Sequence, residues 1–216
     1  MYKLIIFDLD GTLINSIDDL ADAVNYGLNE MGYEPHETER FKTFVGNGAV
    51  KLCERALKKY TSDTEQIKKL HELFSVYYDA HCMDKTYAYD GIKELLDKLK
   101  NKNISLAVAS NKPHEFTKIL VEKIFGKDIF KVIMGKSDKL PAKPAPDIIH
   151  EIIKKADAKA SQTIMIGDSD VDIMTAHNAS ISSIGCTWGF RTKTELINAG
   201  ADFIVDTPSE IENIIL

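Results

Sequence analysis

Two carboxylates separated by one residue, Asp8 and Asp10, directly follow the apolar run Leu4–Phe7. Such a run predicts a strand of a parallel sheet that is buried on both faces. Open α/β sheets bind ligands beyond the carboxyl ends of their strands, where both carboxylates would lie. Two anions so close together need compensation, and a divalent cation is the simplest form of it. The stretch therefore predicts a metal-assisted site, while an ordinary acidic turn stays open as the alternative.

Three further polar segments lie where predicted strands end or predicted helices begin. They are Ser110-Asn111-Lys112-Pro113, Lys143-Pro144, and Gly167-Asp168-Ser169-Asp170-Val171-Asp172. Because the carboxyl ends of parallel strands face the same side of a sheet, these distant segments can assemble one site together with Asp8 and Asp10.

The elements that position these segments alternate between strands and helices in the second half of the chain. Strands are predicted at 104–110, 130–134, 163–167, 181–186 and 203–205, and helices at 92–100, 115–124, 146–156, 171–178, 193–199 and 209–216. This alternation predicts a parallel sheet with right-handed crossovers. The expected fold class is α/β, with a Rossmann-like parallel sheet as its core.

The segment 14–85 has helical periodicity and no convincing strand before residue 102. Ser16 and Asp19 have the spacing of a capping box in front of its first helix. We expect an all-helical cap domain at 14–85, inserted into an α/β core of residues 1–13 and 86–216. A cap that leaves the core beside Asp8 and Asp10 could exclude water and contact the far end of a substrate.

The composition narrows the class of protein. The chain has 216 residues, a formal net charge of −6 and three scattered cysteines. The acidic balance argues against nucleic acid as a partner. The cysteines show neither metal-ligand spacing nor a disulfide framework, which fits a reducing compartment. No signal peptide and no membrane span is expected, so the sequence predicts a cytoplasmic protein, a monomer or a homodimer.

Four motifs in the sequence carry a resemblance to a known family. D-L-D-G-T at 8–12, S-N-K at 110–112, K-P at 143–144 and G-D-S-x-x-D at 167–172 are similar, in this order, to the motifs of the haloacid dehalogenase-like hydrolase superfamily. The resemblance covers nearly the whole chain. It implies a Mg²⁺-dependent enzyme that transfers a phosphoryl group to an aspartate.

The resemblance assigns roles to the catalytic and metal-binding residues. Asp8 would be the nucleophile that forms an aspartyl-phosphate, and Asp10 the general acid and base. Asp10 must then start protonated, which the charge of Asp8 would favour and the metal would oppose. Mg²⁺ would be held by Asp8, the backbone carbonyl of Asp10, and Asp168. The remaining site residues bind phosphate (Ser110, Asn111, Lys143) or support the carboxylates (Thr12, Asp172).

The choice within the superfamily rests on Asp10 and on less specific similarities of two loop sequences. An acid–base aspartate at this position favours hydrolysis of phosphate esters over dehalogenation. The cap loop Gly46-Asn47-Gly48 and the stretch 187–191 resemble those of phosphoglycolate phosphatases. The two glycines would let backbone N–H groups at a helix N-terminus approach a substrate carboxylate, although a plain helix–helix turn stays open. Trp188 and Phe190 would either pack this second stretch or border the site entrance.

We therefore expect a phosphatase of a small phosphorylated metabolite, with 2-phosphoglycolate as the leading substrate. A pyrophosphatase, a nucleotide phosphatase and a phosphosugar mutase are alternatives on the same fold. A non-catalytic protein that binds a phosphorylated metabolite is the alternative from another class.

Overall fold

The computed structural model describes residues 1–215. Its strands are β1 (Leu4–Phe7), β2 (Ile14–Asn15), β3 (Tyr87–Ala88), β4 (Ser105–Pro113), β5 (Val132–Lys136), β6 (Thr163–Gly167), β7 (Ser182–Cys186) and β8 (Phe203–Val205). Its helices are α1 (Ile17–Glu30), α2 (Thr38–Phe41), α3 (Ala49–Leu57), α4 (Thr64–His81), α5 (Ile92–Asn101), α6 (His114–Phe125), α7 (Asp147–Ala156), α8 (Asp170–Asn178), α9 (Lys193–Asn198) and α10 (Glu210–Ile215). Within residues 1–215, no helix is both long and apolar enough to cross a membrane.

The chain forms two compact units. One consists of Met1–Ile14 together with the chain from Ala88 onward, and the other is Asn15–Tyr87. The first unit contains a six-stranded sheet in the order β5-β4-β1-β6-β7-β8, in which every neighbouring pair is parallel. The predicted α/β fold with a parallel sheet is therefore confirmed.

Strand β1 lies in the middle of this sheet, and its four residues are fully buried. Leu4 is opposite Ser105 on one side and Thr163 on the other. Leu4 and Ile6 belong to a core cluster that includes Ile149 and Ile152 of α7. Each buried aliphatic side chain of this size stabilises the fold by about 1.5–3 kcal/mol. The residues that follow β1 are thus held by a rigid strand.

The secondary structure differs from the prediction in several details. Strand β4 continues to Pro113 instead of ending at residue 110, with an irregular register between Ala109 and Pro113. The two-residue strands β2 and β3 form a second sheet, so the expectation of no strand between 14 and 102 is wrong. Two residues are too few to show the alternation by which strands are predicted. The last predicted residue of the final helix, 216, lies outside the described residues.

The unit Asn15–Tyr87 contains helices α1 to α4. Helices α1 and α4 pack against each other, and each contributes fully buried residues, among them Leu28 and Leu70. Gly27 permits this close approach, because a Cβ atom there would lie 2.6 Å from Cδ1 of Leu70. Apart from the terminal residues in β2 and β3, the unit is helical.

Asp19 does not form the predicted capping box with Ser16, whose side chain makes no cap hydrogen bond. Its buried carboxylate instead accepts hydrogen bonds from residues that are distant in sequence. The donors are the N–H of Lys85 (3.0 and 3.1 Å) and the N–H and Oγ1 of Thr86 (2.8 and 2.6 Å). The capping-box prediction is wrong because tertiary donors satisfy the carboxylate. Asp19 ties the beginning of α1 to the end of the same unit.

Replacing Asp19 with alanine is expected to lower the free energy of unfolding by about 3 kcal/mol, because it removes the acceptor of several charge-assisted hydrogen bonds. In a protein of this size the melting temperature should fall by roughly 6–12 °C. Thermal unfolding followed by circular dichroism measures the change. Asp18→Ala is the matched control, with an expected cost of less than about 1 kcal/mol. Equal melting temperatures for the two variants would contradict the assigned role of Asp19.

Candidate active site

Lys143 links Asp8, which follows β1, to Asp172 in helix α8. Its side chain is 2% exposed, and its Nζ donates to Oδ1 of Asp8 at 2.8 Å and to Oδ1 of Asp172 at 2.6 Å. The backbone of Lys143 is itself held by the Asn111 side chain. Asn111 accepts from the Lys143 N–H at 2.8 Å and donates to the Lys143 carbonyl at 3.0 Å. The lysine is thus fixed at both its backbone and its ammonium group.

Asp172 is fixed by the beginning of helix α8. Its Oδ2 accepts from the N–H of Ser169 at 3.1 Å and from the Ser169 hydroxyl at 2.6 Å. Because its other oxygen binds Lys143, both oxygens of Asp172 already have protein partners. Asp172 is therefore suited to positioning Lys143 and to adding negative charge to the site.

Asp168 follows β6 and is held from two sides. Its Oδ1 accepts from Oγ1 of Thr12 at 3.2 Å, and its Oδ2 accepts from the N–H of Phe190 at 2.7 Å. Trp188 holds the same loop by donating from Nε1 to the carbonyl of Thr12 at 3.0 Å. The Trp188 contact is of the loop-packing kind predicted for it, while Phe190 contributes its backbone N–H. Gly11, at φ +90°, leaves the space in which the Asp168 carboxylate lies.

The Asp10 side chain lies against a second buried lysine. Lys112, at the end of β4, is 7% exposed, and its Nζ donates to Oδ1 and Oδ2 of Asp10 at 3.0 and 3.1 Å. The N–H of Lys112 donates to Oγ of Ser110 at 3.1 Å. The predicted phosphate ligand Ser110 and the predicted acid–base Asp10 are therefore both linked to Lys112.

Burial dominates the electrostatics of the site. Desolvation, followed by the charge of Asp172, raises the pKa of Asp8 well above its usual value. The same two causes raise the pKa of Asp168 to about 7. Burial alone would lower the pKa of Lys143, but the charges of Asp172 and Asp8 raise it above the usual value. The lysine therefore stays charged, while the carboxylates are destabilised as anions.

The carboxylates form a group that a hard divalent cation fits. One oxygen from each of Asp8, Asp168 and Asp172 can be chosen so that all three lie within 4.8 Å of one another. Asp8, Asp10 and Asp172 pair with the ammonium groups of Lys112 and Lys143, and Asp168 lies beside Asp8 and Asp172. When all four carboxylates are ionised, they exceed these two ammonium groups by two negative charges. Oxygen donors with surplus negative charge are what Mg²⁺ and similar cations bind.

The structure thus places most of the predicted residues in one region of the sheet unit. Asp8, Asp168, Asp172, Lys143 and Asn111 are linked by the contacts given above, and Thr12 supports Asp168. Sequence reasoning missed two groups. The sequence prediction gives Lys112 no role beyond its place in the S-N-K motif, although a lysine directly after Ser110-Asn111 is a usable signal. The Phe190 N–H is a backbone donor, for which residue types give no signal.

The predicted cap loop belongs to the other unit. Gly46 and Gly48 have φ values of 118° and 87°, which favour glycine, and Gly48 precedes the first residue of α3. Arg55 fixes the loop by donating to the Phe44 carbonyl at 2.7 Å and to Oδ1 of Asn47 at 2.6 Å. The role of Gly46, Asn47 and Gly48 in substrate binding stays a prediction.

Several named relatives cover nearly the whole chain. It is 34% identical over 218 residues to a phosphoglycolate phosphatase of Vibrio parahaemolyticus, covering 99% of this chain and 96% of that protein. It is 37% identical over 196 residues to one of Psychrobacter arcticus, covering 88% and 85%. A crystal structure of a predicted phosphoglycolate phosphatase from Haemophilus somnus matches with a TM-score of 0.91 and 28% identity, covering 100% and 98%.

A solved structure from Lactobacillus delbrueckii subsp. bulgaricus, a candidate phosphoglycolate phosphatase, matches with a TM-score of 0.96 and 34% identity over 100% of this chain and 98% of that one. A family model for haloacid dehalogenase-like hydrolases matches residues 5–186, a range that contains every residue of the acidic site. The chain therefore belongs to the haloacid dehalogenase-like hydrolase family.

Proposed function

We propose that this hydrolase cleaves the phosphate monoester of a small metabolite, with 2-phosphoglycolate as its substrate. The observation that carries the proposal is the largely buried Asp8 carboxylate, oriented by Lys143 at the end of the central strand and followed two residues later by a second carboxylate. The relatives named phosphoglycolate phosphatases support the choice of substrate.

In the first step, Asp8 attacks the phosphorus atom, and a bond from its carboxylate oxygen to phosphorus replaces the ester bond. The leaving alcohol takes its proton from Asp10. In the second step, Asp10 takes a proton from water, whose oxygen attacks the same phosphorus. Phosphate leaves, and the Asp8 carboxylate is restored.

We assign phosphate binding to Ser110, Asn111 and Lys143. Lys143 contributes a buried positive charge that lies against Asp8 and would also face the transferring phosphoryl oxygens. Asn111 supports this role through its two hydrogen bonds to the Lys143 backbone, in addition to the backbone N–H predicted to bind phosphate.

We assign Mg²⁺ as the cation, which would be held by carboxylate oxygens of Asp8 and Asp168 and by the backbone carbonyl of Asp10. Asp172 contributes negative charge nearby, while both its oxygens remain bound to Lys143 and Ser169. When bound, the cation offsets repulsion between Asp8 and the phosphate and stabilises charge in the transition state.

The deciding experiment compares kcat/KM for 2-phosphoglycolate and for an aryl phosphate in the presence of Mg²⁺, with phosphate release as the readout. A preference of about 100-fold or more, equivalent to about 2.7 kcal/mol, is expected because only the first substrate has a second anionic group to be bound. Similar, slow turnover of both would overturn the substrate while leaving the phosphatase chemistry in place. Turnover without phosphate release would indicate a mutase.

Mg²⁺ is expected to stabilise the protein more near pH 8 than near pH 5.5. The folded state raises the pKa of Asp8 and brings that of Asp168 to about 7. These groups bind protons more tightly when folded, so without metal their contribution to stability falls as the pH rises from about 4 towards 7. Above this window Asp168 is ionised and can bind the cation, whose charge also favours the ionised form of Asp8. At about 100 times its Kd, Mg²⁺ should add about 2.7 kcal/mol, or roughly 5–10 °C in melting temperature.

Calorimetry at the two pH values, with Mg²⁺ or with a chelator, measures this difference. Asp168→Asn is the matched variant and should lose the increment near pH 8. An equal Mg²⁺ increment at both pH values, or one that persists in Asp168→Asn, would show that the cation binds elsewhere.

A further inference from the structure

Lys112 has no role in the mechanism described so far, although it is one of the two buried lysines among residues 1–215. The other, Lys143, is committed to Asp8 and Asp172. Burying a lysine is costly unless its charge is paired or used. Lys112 is paired with Asp10, through contacts of 3.0 and 3.1 Å to its two oxygens. The buried ammonium group of Lys112 therefore lies directly beside the residue assigned as general acid and base.

The chemistry of Asp10 locates the neighbourhood of Lys112 relative to a bound substrate. To protonate the leaving group, the Asp10 carboxyl must lie within hydrogen-bond distance of the ester oxygen, about 2.7 Å away. In 2-phosphoglycolate a single methylene separates that ester oxygen from the carboxyl carbon. The substrate carboxylate therefore lies within a few ångströms of the Asp10 carboxyl, where a group that contacts Asp10 can reach it. Lys112 is such a group, and its charge is opposite to that of the carboxylate.

We propose that Lys112 binds the carboxylate of the substrate and selects phosphate esters whose ester carbon carries a carboxylate. The substrate carboxylate takes up hydrogen bonds that Asp10 accepts in the structure described here, and Asp10 turns to the ester oxygen. Specificity and the correct placement of the acid–base residue are thereby coupled through one ammonium group. This inference rests on the proposed function.

The first test compares 2-phosphoglycolate with ethyl phosphate, which has the same ester bond and a methyl group in place of the carboxylate. Because ethyl phosphate has no carboxylate, a change in its kcat/KM on replacing Lys112 measures the effect of the lysine on Asp10 alone. In Lys112→Met the preference for 2-phosphoglycolate, expressed as a ratio of kcat/KM values, is expected to fall by about thirtyfold or more. Lys112→Arg should retain most of the preference. Lys98→Met, which removes an exposed lysine paired with Glu212, should leave both substrates unaffected.

The second test measures binding without catalysis. The non-hydrolysable analogue 3-phosphonopropionate has the shape of 2-phosphoglycolate, and propylphosphonate has that of ethyl phosphate. Titration calorimetry on the Mg²⁺-loaded wild type should show tighter binding of 3-phosphonopropionate, and Lys112→Met should remove the difference. If Lys112→Met does not fold, as judged by circular dichroism, Lys112→Gln takes its place in both tests.

The outcomes separate this proposal from the proposed function. Loss of activity by the same factor on both esters, with an unchanged affinity ratio for the two phosphonates, would overturn the proposal and leave Lys112 as a residue that only positions Asp10. A wild-type enzyme that hydrolyses ethyl phosphate as well as 2-phosphoglycolate would instead overturn the substrate assignment, before any variant is examined.

Discussion

Asp8→Asn is expected to lower kcat/KM for 2-phosphoglycolate by on the order of 10⁴-fold or more, because a neutral amide cannot act as the nucleophile that a carboxylate is. The fold should survive the change. Asparagine has nearly the same volume, and it removes a buried charge that desolvation and Asp172 destabilise. Steady-state kinetics and a melting curve measure the two effects. Near-normal turnover by Asp8→Asn would exclude an aspartyl-phosphate mechanism.

Asp170→Asn is the matched control for this variant. Asp170 is an exposed aspartate in the segment 167–172, and its replacement should leave turnover within about twofold, as is usual for surface changes. Acid quenching followed by mass spectrometry gives a direct check. Wild-type protein mixed with substrate should carry a phosphoryl group on Asp8. Asp10→Asn should accumulate this group from an aryl phosphate, whose leaving group needs no proton, because only deprotonation of the hydrolytic water is then slowed. A phosphoryl group on another residue would contradict the assignment of Asp8.

The sequence predicts the central part of the site well because strand ends are defined by local patterns. The apolar run Leu4–Phe7 is unbroken, so its carboxyl end is unambiguous and Asp8 is the next residue. Parallel pairing then requires the ends of β4 and β6 to lie at the same edge. The proximity of Asp8 to Asp168, which directly follow β1 and β6, is a consequence of this topology and does not depend on side-chain detail.

Lys112 and Phe190 could not be placed by the same reasoning. The contact between Lys112 and Asp10 depends on β4 continuing past residue 110 with an irregular register, which decides the direction of each side chain. Polar residues after an apolar run predict a turn, and here they are part of the strand. The Phe190 N–H binds Asp168 through a backbone donor that every residue except proline possesses.

Asp19 shows a different kind of error. Here the local sequence contains a motif, but the side chain binds partners that are distant in sequence. The spacing of Ser16 and Asp19 favours a capping box, whose stabilising effect is about 1 kcal/mol. In the structure, the carboxylate accepts from Lys85 and Thr86, more than 60 residues away. Several charge-assisted hydrogen bonds outweigh one local cap, and nothing in the local sequence indicates such partners.

Lys143→Met is expected to lower both activity and stability. Methionine occupies a similar volume but leaves Asp8 and Asp172 without their common cation. Loss of one partner from a buried ion pair typically costs about 3–5 kcal/mol, which is roughly 6–20 °C in melting temperature here. Loss of a positioned cation at the phosphoryl group should lower kcat/KM by about 10²–10³-fold. Thermal unfolding in the presence of a chelator measures the loss of stability without any contribution from a bound metal ion.

The double variant Lys143→Met/Asp172→Asn separates the two roles of the lysine. Removing the charge of Asp172 as well should restore part of the lost stability, because one unpaired buried carboxylate fewer remains, whereas activity should stay low. Lys193→Met is the surface control, since Lys193 pairs with Asp206 at 3.0 Å while half exposed, and such pairs contribute less than about 1 kcal/mol. If Lys143→Met melted like Lys193→Met, the buried lysine would not be neutralising the carboxylates, and the acidic site would need another source of positive charge.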